Sequence, residues 1–180
     1  MRKGEHSKPE TRGSKLQPPA DLTFRFMRDG EERAVCALVH RVFNVSVAPL
    51  YTKKGLLNFR EYAAPEEMFR RVQVDHFVLL ALIGGDMVGM IEVRRHDHIS
   101  LLFVEREQQG KGIGRDLLGL AVKFCLTSKP QLKEVTVNSS PNAIDAYERM
   151  GFKPTGEEQS ICGVRSVPMV KVLSEIRDKR

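Results

Sequence analysis

Apolar and polar residues alternate in some parts of this chain and follow helical spacing in others, which predicts an α/β protein. Phe24 and Phe26 flank Arg25 in a first strand that stops at Asp29-Gly30. We expect a helix over residues 31–43, because apolar residues recur there at helical spacing: Val35, Leu38, Val39 and Val42. Asp29 is expected to cap this helix, since its carboxylate can accept hydrogen bonds from the first turn.

The periodicity fails between residues 44 and 64, although the segment stays rich in apolar and aromatic residues. We expect an irregular connection there, and long connections of this kind are often binding loops. Pro65 then predicts the start of a short helix, because proline suits the first helical position.

Later runs rich in Val, Leu and Ile predict strands over residues 77–83, 87–94, 99–104 and 135–138. Gly84-Gly85-Asp86 is typical of a hairpin turn between the first two of these strands. Two amphipathic segments predict helices over residues 115–125 and 142–150. We expect Ser140 to cap the second helix and Gly151 to stop it, and a closing pair of strands over residues 157–160 and 167–173.

The composition is that of a folded domain and gives no support to a nucleic-acid or membrane protein. Of the 180 residues, 41% are hydrophobic and 29% are charged, which is ordinary for one globular domain. Half of the net charge of +6 lies in residues 1–20, where five basic residues accompany two acidic ones. Elsewhere no basic run alternates with aromatic residues, and no apolar run could span a bilayer.

We expect three parts: a disordered basic leader over residues 1–20, one domain over residues 21–175, and a charged tail over residues 176–180. The three cysteines are widely separated and lack zinc-site spacing. No secretory segment is seen at the N-terminus. We therefore expect a cytoplasmic protein without a metal, and leave a homodimer open.

The stretch Gln109-Gly110-Lys111-Gly112-Ile113-Gly114 joins strand 99–104 to the helix that follows it. Its glycines allow a tight turn whose N–H groups can approach a phosphate at a helix N-terminus. It is not a P-loop, because Glu105 stands where the first glycine belongs, nor a dinucleotide fingerprint, because Arg115 replaces the last glycine. The pattern Gln-x-x-Gly-x-Gly resembles motif A of the GNAT superfamily of acyl-CoA N-acyltransferases.

A second segment, residues 138–152, is similar to motif B of the same family. It has a strand-ending Asn138, a helix containing Ala146 and Tyr147, and then Gly151-Phe152. The resemblance covers residues 22–173. It implies an α/β fold with a mixed, mostly antiparallel central sheet, splayed between its fourth and fifth strands, and helices on both faces.

The resemblance also implies that coenzyme A inserts into the splay. The pantetheine arm would pair like an added strand with Leu102, Phe103 and Val104. The pyrophosphate would lie against the loop: Gln109, Gly110, Lys111, Gly112, Ile113, Gly114 and Arg115. Asn138, Asn142 and Tyr147 would contact the pantetheine arm.

Tyr147 shares a helix face with Ala143 and Met150, so it is expected to point inward. Residues alone favour a core tyrosine. The resemblance makes it the general acid, because a phenol with an ordinary pKa of about 10 stays protonated at neutral pH and can donate to a departing thiolate.

Three candidates remain for the group that removes the amine proton. His98 begins the strand before the glycine loop, and strict alternation puts it on one face with Ser100 and Leu102. Its ordinary pKa of about 6.5 suits a base. Glu92 and a water chain are the alternatives, and His96 with His98 lacks a third residue for a metal site.

The sequence therefore predicts an N-acetyltransferase that moves an acetyl group from acetyl-CoA to a primary amine. The acceptor would be a small molecule or a peptide N-terminus, attacked directly in a ternary complex. Lys53, Lys54 and Arg60 in the segment 44–64 would favour amines that carry a carboxylate over polycations. The alternative is a non-catalytic acyl-CoA sensor.

Overall fold

A central sheet of eight strands follows the runs of Val, Leu and Ile in the sequence. The computed structural model describes Pro19 and residues 21–173, so the predicted leader and tail lie almost wholly outside the described residues. The strands are β1 (Leu22–Phe26), β2 (His76–Ile83), β3 (Asp86–Arg94), β4 (His98–Val104), β5 (Glu134–Ser139), β6 (Lys153–Pro154), β7 (Gln159–Ile161) and β8 (Val164–Val172). Their order across the sheet is β1-β2-β3-β4-β5-β8-β6, and β7 pairs with β8.

Helices cover both faces of this sheet, as predicted. They are α1 (Glu32–Ser46), α2 (Lys53–Tyr62), α3 (Pro65–Val72), α4 (Ile113–Ser128) and α5 (Ile144–Arg149). Short 3₁₀ turns lie at Ala48–Leu50, Arg106–Gln108 and Pro141–Ala143. Alternate residues of β2 explain the two layers: Phe77 and Leu79 pack in one core with α4, while Val78 and Leu80 pack in the other with α1. A strand buried on both faces reads as a continuous apolar run.

The prediction of an irregular segment over residues 44–64 is wrong. Helix α1 continues to Ser46, and α2 occupies Lys53–Tyr62 after a 3₁₀ turn that contains Pro49. The break around Pro49 divides the helical pattern into two short pieces. Thr52 caps α2, because its hydroxyl accepts the N–H of Gly55 at 3.2 Å.

Two predicted helix caps are also wrong. The N-cap position of α1 is Glu31, whose carboxylate accepts the N–H of Arg28 at 2.8 Å and pairs with Arg25 at 2.7 Å instead of capping the first turn. Ser140 precedes the 3₁₀ turn, but its side chain makes no capping hydrogen bond. Gly151 does end the α5 segment in the left-handed region, at φ +90°.

Strands β4 and β5 form the one parallel pair of the path, and they pair over only two positions. His98 lies beside Thr136 and Ile99 beside Val137, after which the two strands separate. Strand β4 continues to Val104 along β3, and β5 continues to Ser139 along β8. The splay predicted between the fourth and fifth strands is therefore confirmed.

A β-bulge in β4 changes which side chains share a face. The register with β3 shifts between Glu92 and Val93, which leaves Ser100 as the extra residue. As a result Ile99 and Leu102 both pack on the α4 side, since a bulge interrupts strand alternation. His98, which alternates with Ile99, therefore does not share a face with Leu102, and that part of its prediction is wrong.

A buried ion pair ties α3 to β3. Glu92 is 0% exposed, and Arg71 donates to both of its carboxylate oxygens, at 2.8 and 3.1 Å. The same guanidinium lies 3.8 Å from the ring centre of Tyr62 and donates to the carbonyl of Tyr62 at 2.6 Å. Each of the three guanidinium nitrogens of Arg71 thus donates a hydrogen bond that holds the end of α2 and α3 against the sheet.

We predict that Arg71→Met lowers the free energy of unfolding by about 3–5 kcal/mol, because Glu92 is left buried without its counter-ion. The neighbouring pair of Arg70 and Glu67 is exposed on the same helix, so Arg70→Met is the matched control and should cost less than about 1 kcal/mol. Urea unfolding of both variants measures the difference. Equal losses would contradict a special role for the buried pair.

Candidate active site

A cavity of about 660 Å³ occupies the gap between β4 and β5. Its walls come from both faces of the sheet: Ile113 and Tyr147 lie on the α4 side, and Phe59 and Phe103 lie on the α1 side. The cavity therefore passes through the sheet, where the two strands leave room for it. A bound molecule could reach from one face to the other.

The glycine loop forms the α4 end of this cavity. The backbone N–H groups of residues 110–115 donate no hydrogen bond within the described part of the chain. Gly110 and Gly112 have φ values of +77° and +91°, which favour glycine, and Gly112 directly precedes α4. The arrangement presents free donors at the positive end of a helix, a favourable site for a phosphate.

Two arginines add positive charge to the cavity wall. Arg115 is the third residue of α4, and Arg149 ends α5; both line the cavity. Neither forms an ion pair with the described residues. Arg115 was predicted here. Arg149 was missed, because its distance from the loop in sequence hides their proximity.

Two of the predicted loop contacts have other partners. Gln109 lines the cavity, but its Nε2 donates to the carbonyl of Val104 at 2.9 Å and so holds the loop against the end of β4. Lys111 is not among the cavity-lining residues, and its Nζ donates to Oε1 of Gln108 at 2.9 Å. Gln109 therefore stabilises the conformation of the loop, and the side chain of Lys111 lies outside the cavity wall.

The remaining predicted coenzyme contacts are all brought together. Leu102, Phe103 and Val104 line the wall formed by β4, and Asn138 lines the wall formed by β5. Asn142 also lines the cavity, and its Nδ2 donates to the carbonyl of Ser46 at 2.6 Å. This hydrogen bond joins the C-terminal end of α1 to the turn before α5, and so connects the two halves of the wall.

Tyr147 lines the cavity, and its ring belongs to the core on the α4 side of the sheet. The residue is 7% exposed, and its ring packs edge-on against Phe152 at a centroid distance of 5.3 Å. Burial raises the pKa of this phenol well above its ordinary value. The hydroxyl has no hydrogen-bond partner among the described residues, so it is a protonated donor that is free to meet a ligand.

The two side chains predicted as bases lie outside the cavity wall. His98 lies at the closed end of the splay, with Nδ1 2.8 Å from Oγ1 of Thr136; burial, with help from Arg94, lowers its pKa. Glu92 is held in the ion pair with Arg71. No histidine, aspartate or glutamate lines this cavity.

An aromatic cluster at the α1 end was not recognised from the sequence. Phe43 and Phe59 stack with their ring centres 3.7 Å apart, and Tyr51 and Phe103 meet these rings edge-on. All four rings line the cavity. Lys53, Lys54 and Arg60 do not line it, so the prediction that they select carboxylate-bearing acceptors loses its geometric basis.

Within residues 21–173, no group of three or more His, Cys, Asp or Glu side chains is arranged to hold a metal ion. None of the helices in the same range combines the length and apolar character needed to cross a membrane.

A model of the acetyltransferase (GNAT) domain family matches residues 47–173. The chain belongs to the GNAT family. This confirms the predicted enzyme class, an acyl-CoA-dependent N-acetyltransferase.

Known proteins agree with this assignment. The uncharacterized N-acetyltransferase YafP of Escherichia coli is 24% identical over 145 residues, which cover 79% of this chain and 88% of YafP. A GCN5-related N-acetyltransferase from Rhodopseudomonas palustris has a similar fold, with a TM-score of 0.73 at 20% identity over 88% of this chain and 98% of that one. PaiA N-acetyltransferase from Thermoplasma acidophilum, solved in complex with coenzyme A, has a TM-score of 0.69 at 20% identity, covering 84% of this chain and 98% of PaiA.

We predict that Gly112→Glu weakens coenzyme A binding at least about tenfold, because it adds a negative charge beside the free N–H groups and a side chain at positive φ. Gly119→Glu is the matched control: Gly119 lies within α4 at an exposed position, and an added Cβ there would meet nothing within 4 Å. Titration calorimetry on both folded variants measures the effect. Unchanged affinity in Gly112→Glu would contradict a role for this loop.

Proposed function

We propose that this GNAT protein transfers an acetyl group from acetyl-CoA to a primary amine of a small molecule or a peptide N-terminus, in a ternary complex. The observation that carries the proposal is the cavity itself. It leads from free N–H donors at the start of α4, through the gap between β4 and β5, past the hydroxyl of Tyr147. The coenzyme A complex of PaiA, which has a similar fold, supports the same ligand here.

The charges and free backbone groups set the direction of the coenzyme. Its pyrophosphate binds the N–H groups of residues 110–115, with Arg115 and Arg149 close by. The pantetheine arm runs along the inner edge of β4 at Leu102–Val104, where β5 no longer provides hydrogen bonds. Asn138 faces it from β5. Gln109 stabilises the loop through its hydrogen bond to Val104. Lys111 contributes positive charge from outside the cavity wall.

Transfer then needs two proton movements. The amine nitrogen attacks the thioester carbon, an N–C bond forms and the C–S bond breaks. Tyr147 donates its proton to the departing sulfur, and solvent restores the phenol. The attacking amine gives its own proton to water, because no histidine or carboxylate lines the cavity. The hypothesis that His98 or Glu92 acts as base is thus less favoured than the water route.

We predict that Tyr147→Phe lowers kcat about 100-fold, the lower end for acid–base assistance, while coenzyme affinity changes little. The ring and its contact with Phe152 are retained, and only the donor is lost. Tyr62→Phe removes a hydroxyl that lies outside the cavity wall and is the matched control, expected to stay near wild-type kcat. Steady-state kinetics with calorimetry measure both quantities. Wild-type turnover in Tyr147→Phe would make Tyr147 a core residue only.

The water route also predicts how activity depends on pH. kcat/KM should rise with pH, with its midpoint at the pKa of the acceptor amine itself and a plateau above that pH, since only the neutral amine attacks. Two acceptors with different amine pKa values should therefore give two different midpoints. The raised pKa of Tyr147 predicts no falling limb up to about pH 10, the ordinary tyrosine value.

His98→Gln is the critical variant for this profile and should keep both midpoints. A midpoint below about pH 6.5, the ordinary histidine pKa that burial lowers at His98, that is the same for both amines and disappears in His98→Gln would identify His98 as the base instead.

A further inference from the structure

The α1 end of the cavity is an aromatic chamber made of Phe43, Tyr51, Phe59 and Phe103. The stacked pair of Phe43 and Phe59 forms its floor, with ring planes only 8° apart. Tyr51 stands edge-on to Phe43 at 5.4 Å, and Phe103 stands edge-on to Phe59 at 6.2 Å. Phe43 is fully buried beneath Phe59, whereas Tyr51, Phe59 and Phe103 are partly exposed. These three rings offer aromatic surface against which a planar aromatic guest can pack edge-on or offset-stacked.

None of the four chamber residues carries a charge, and His40, which stands edge-on to Phe59 at 6.4 Å, lies outside the cavity wall. The two charged side chains of the cavity wall, Arg115 and Arg149, belong to the glycine loop helix and to α5, which pack on the opposite face of the sheet. No carboxylate is available to pair with the second ammonium of a polyamine. Lys53, Lys54 and Arg60 are exposed and lie outside the wall, so a carboxylate on the acceptor would also lack a partner. Burying an unpaired charge there would be costly.

The chamber is also held in place before any ligand arrives. Tyr51 shortly precedes α2, and Phe59 lies within it near its C-terminal end. Helix α2 in turn contacts the turn between β7 and β8. Asn58 Nδ2 donates to the carbonyl of Cys162 at 2.9 Å. Gly163 packs so closely on Thr52 and Gly55 that a side chain at position 163 would overlap both. A preformed chamber binds its ligand without the entropic cost of ordering the residues of the wall.

We propose that the acceptor is a primary monoamine carried by an uncharged aromatic ring, which sits in the aromatic chamber while the amine points towards the gap between β4 and β5. This proposal rests on the proposed acetyl transfer and narrows its acceptor. The ring contacts Phe59 and Tyr51, and the amine nitrogen reaches the thioester from the α1 face.

The test compares kcat/KM at saturating acetyl-CoA for a panel of amines. The panel contains 2-phenylethylamine, 2-cyclohexylethylamine, ethylamine, spermidine and β-alanine. We expect 2-phenylethylamine to exceed the cyclohexyl compound a few-fold and each of the other three by about tenfold or more, in line with what one buried group contributes to specificity.

Phe59→Leu tests the chamber directly, since it keeps an apolar side chain and removes the ring. The ratio of kcat/KM for 2-phenylethylamine to that for ethylamine should fall about five- to tenfold. Phe69→Leu is the matched control, because Phe69 is exposed on α3 and away from the cavity, and its ratio should match wild type. The affinity for coenzyme A, measured by calorimetry, reports that each variant is folded.

The outcomes separate the two proposals. Turnover that is fastest with spermidine or β-alanine overturns the aromatic acceptor and leaves acetyl transfer standing. An unchanged ratio in a folded Phe59→Leu variant overturns the chamber as the acceptor site. If coenzyme A binds but no amine in a broad panel is acetylated, the proposed function fails, and the acceptor proposal fails with it.

Discussion

The brief pairing of β4 with β5 is the constraint on which the rest of the site depends. Each strand is fully paired on its outer side, β4 with β3 and β5 with β8, but the inner edges meet over only two positions. Beyond Ile99 and Val137 the backbone groups of these edges need other partners. Gln109 supplies one by donating to Val104, and an extended ligand can supply others. The gap therefore selects a ligand that can act as a strand.

Because the gap passes through the sheet, it joins two different chemical environments. On the α4 face lie free backbone donors at a helix N-terminus and two arginines without ion-pair partners. On the α1 face four aromatic residues line the cavity, and no charged side chain of the described residues lines it there. The two ends of the cavity therefore suit different parts of a ligand: the α4 end suits an anionic group, and the α1 end suits an apolar group. The hydrogen bond from Asn142 to Ser46 joins the end of α1 to the turn before α5 and so links the two sides of the cavity.

The buried ion pair of Arg71 and Glu92 affects the chemistry as well as the stability. It keeps a carboxylate beside the bulge of β4 fully engaged, so that carboxylate does not face the cavity. Burial raises the pKa of the neighbouring Tyr62, and a hydrogen bond with Ser100 at the bulge opposes this shift. The contacts of Arg71, Glu92 and Tyr62 beside the bulge therefore serve as structural support. The proton transfers that we propose involve Tyr147 and water.

The sequence by itself determined the features that depend on residues close together in the chain. Glycines at positive φ, the strand before the glycine loop, and the segment from Asn138 to Phe152 are properties of consecutive residues, so the loop, the turn at Gly84-Gly85 and the stop at Gly151 could be predicted. The residues expected to hold the coenzyme line the cavity, with Lys111 as the exception. The two strands that splay were placed correctly, because the resemblance rests on motifs at the ends of those strands.

Only the tertiary structure decided which distant side chains share the cavity. One inserted residue at Ser100 reversed the alternation on which the prediction for His98 depended, and a bulge leaves no mark in the apolar pattern. The ion pair with Arg71 keeps Glu92 out of the cavity wall. The position of α2 and of the turn before it places Tyr51 and Phe59 in the wall and leaves Lys53 and Lys54 exposed. These outcomes depend on contacts between residues far apart in the chain, and local spacing contains no information about which of them form.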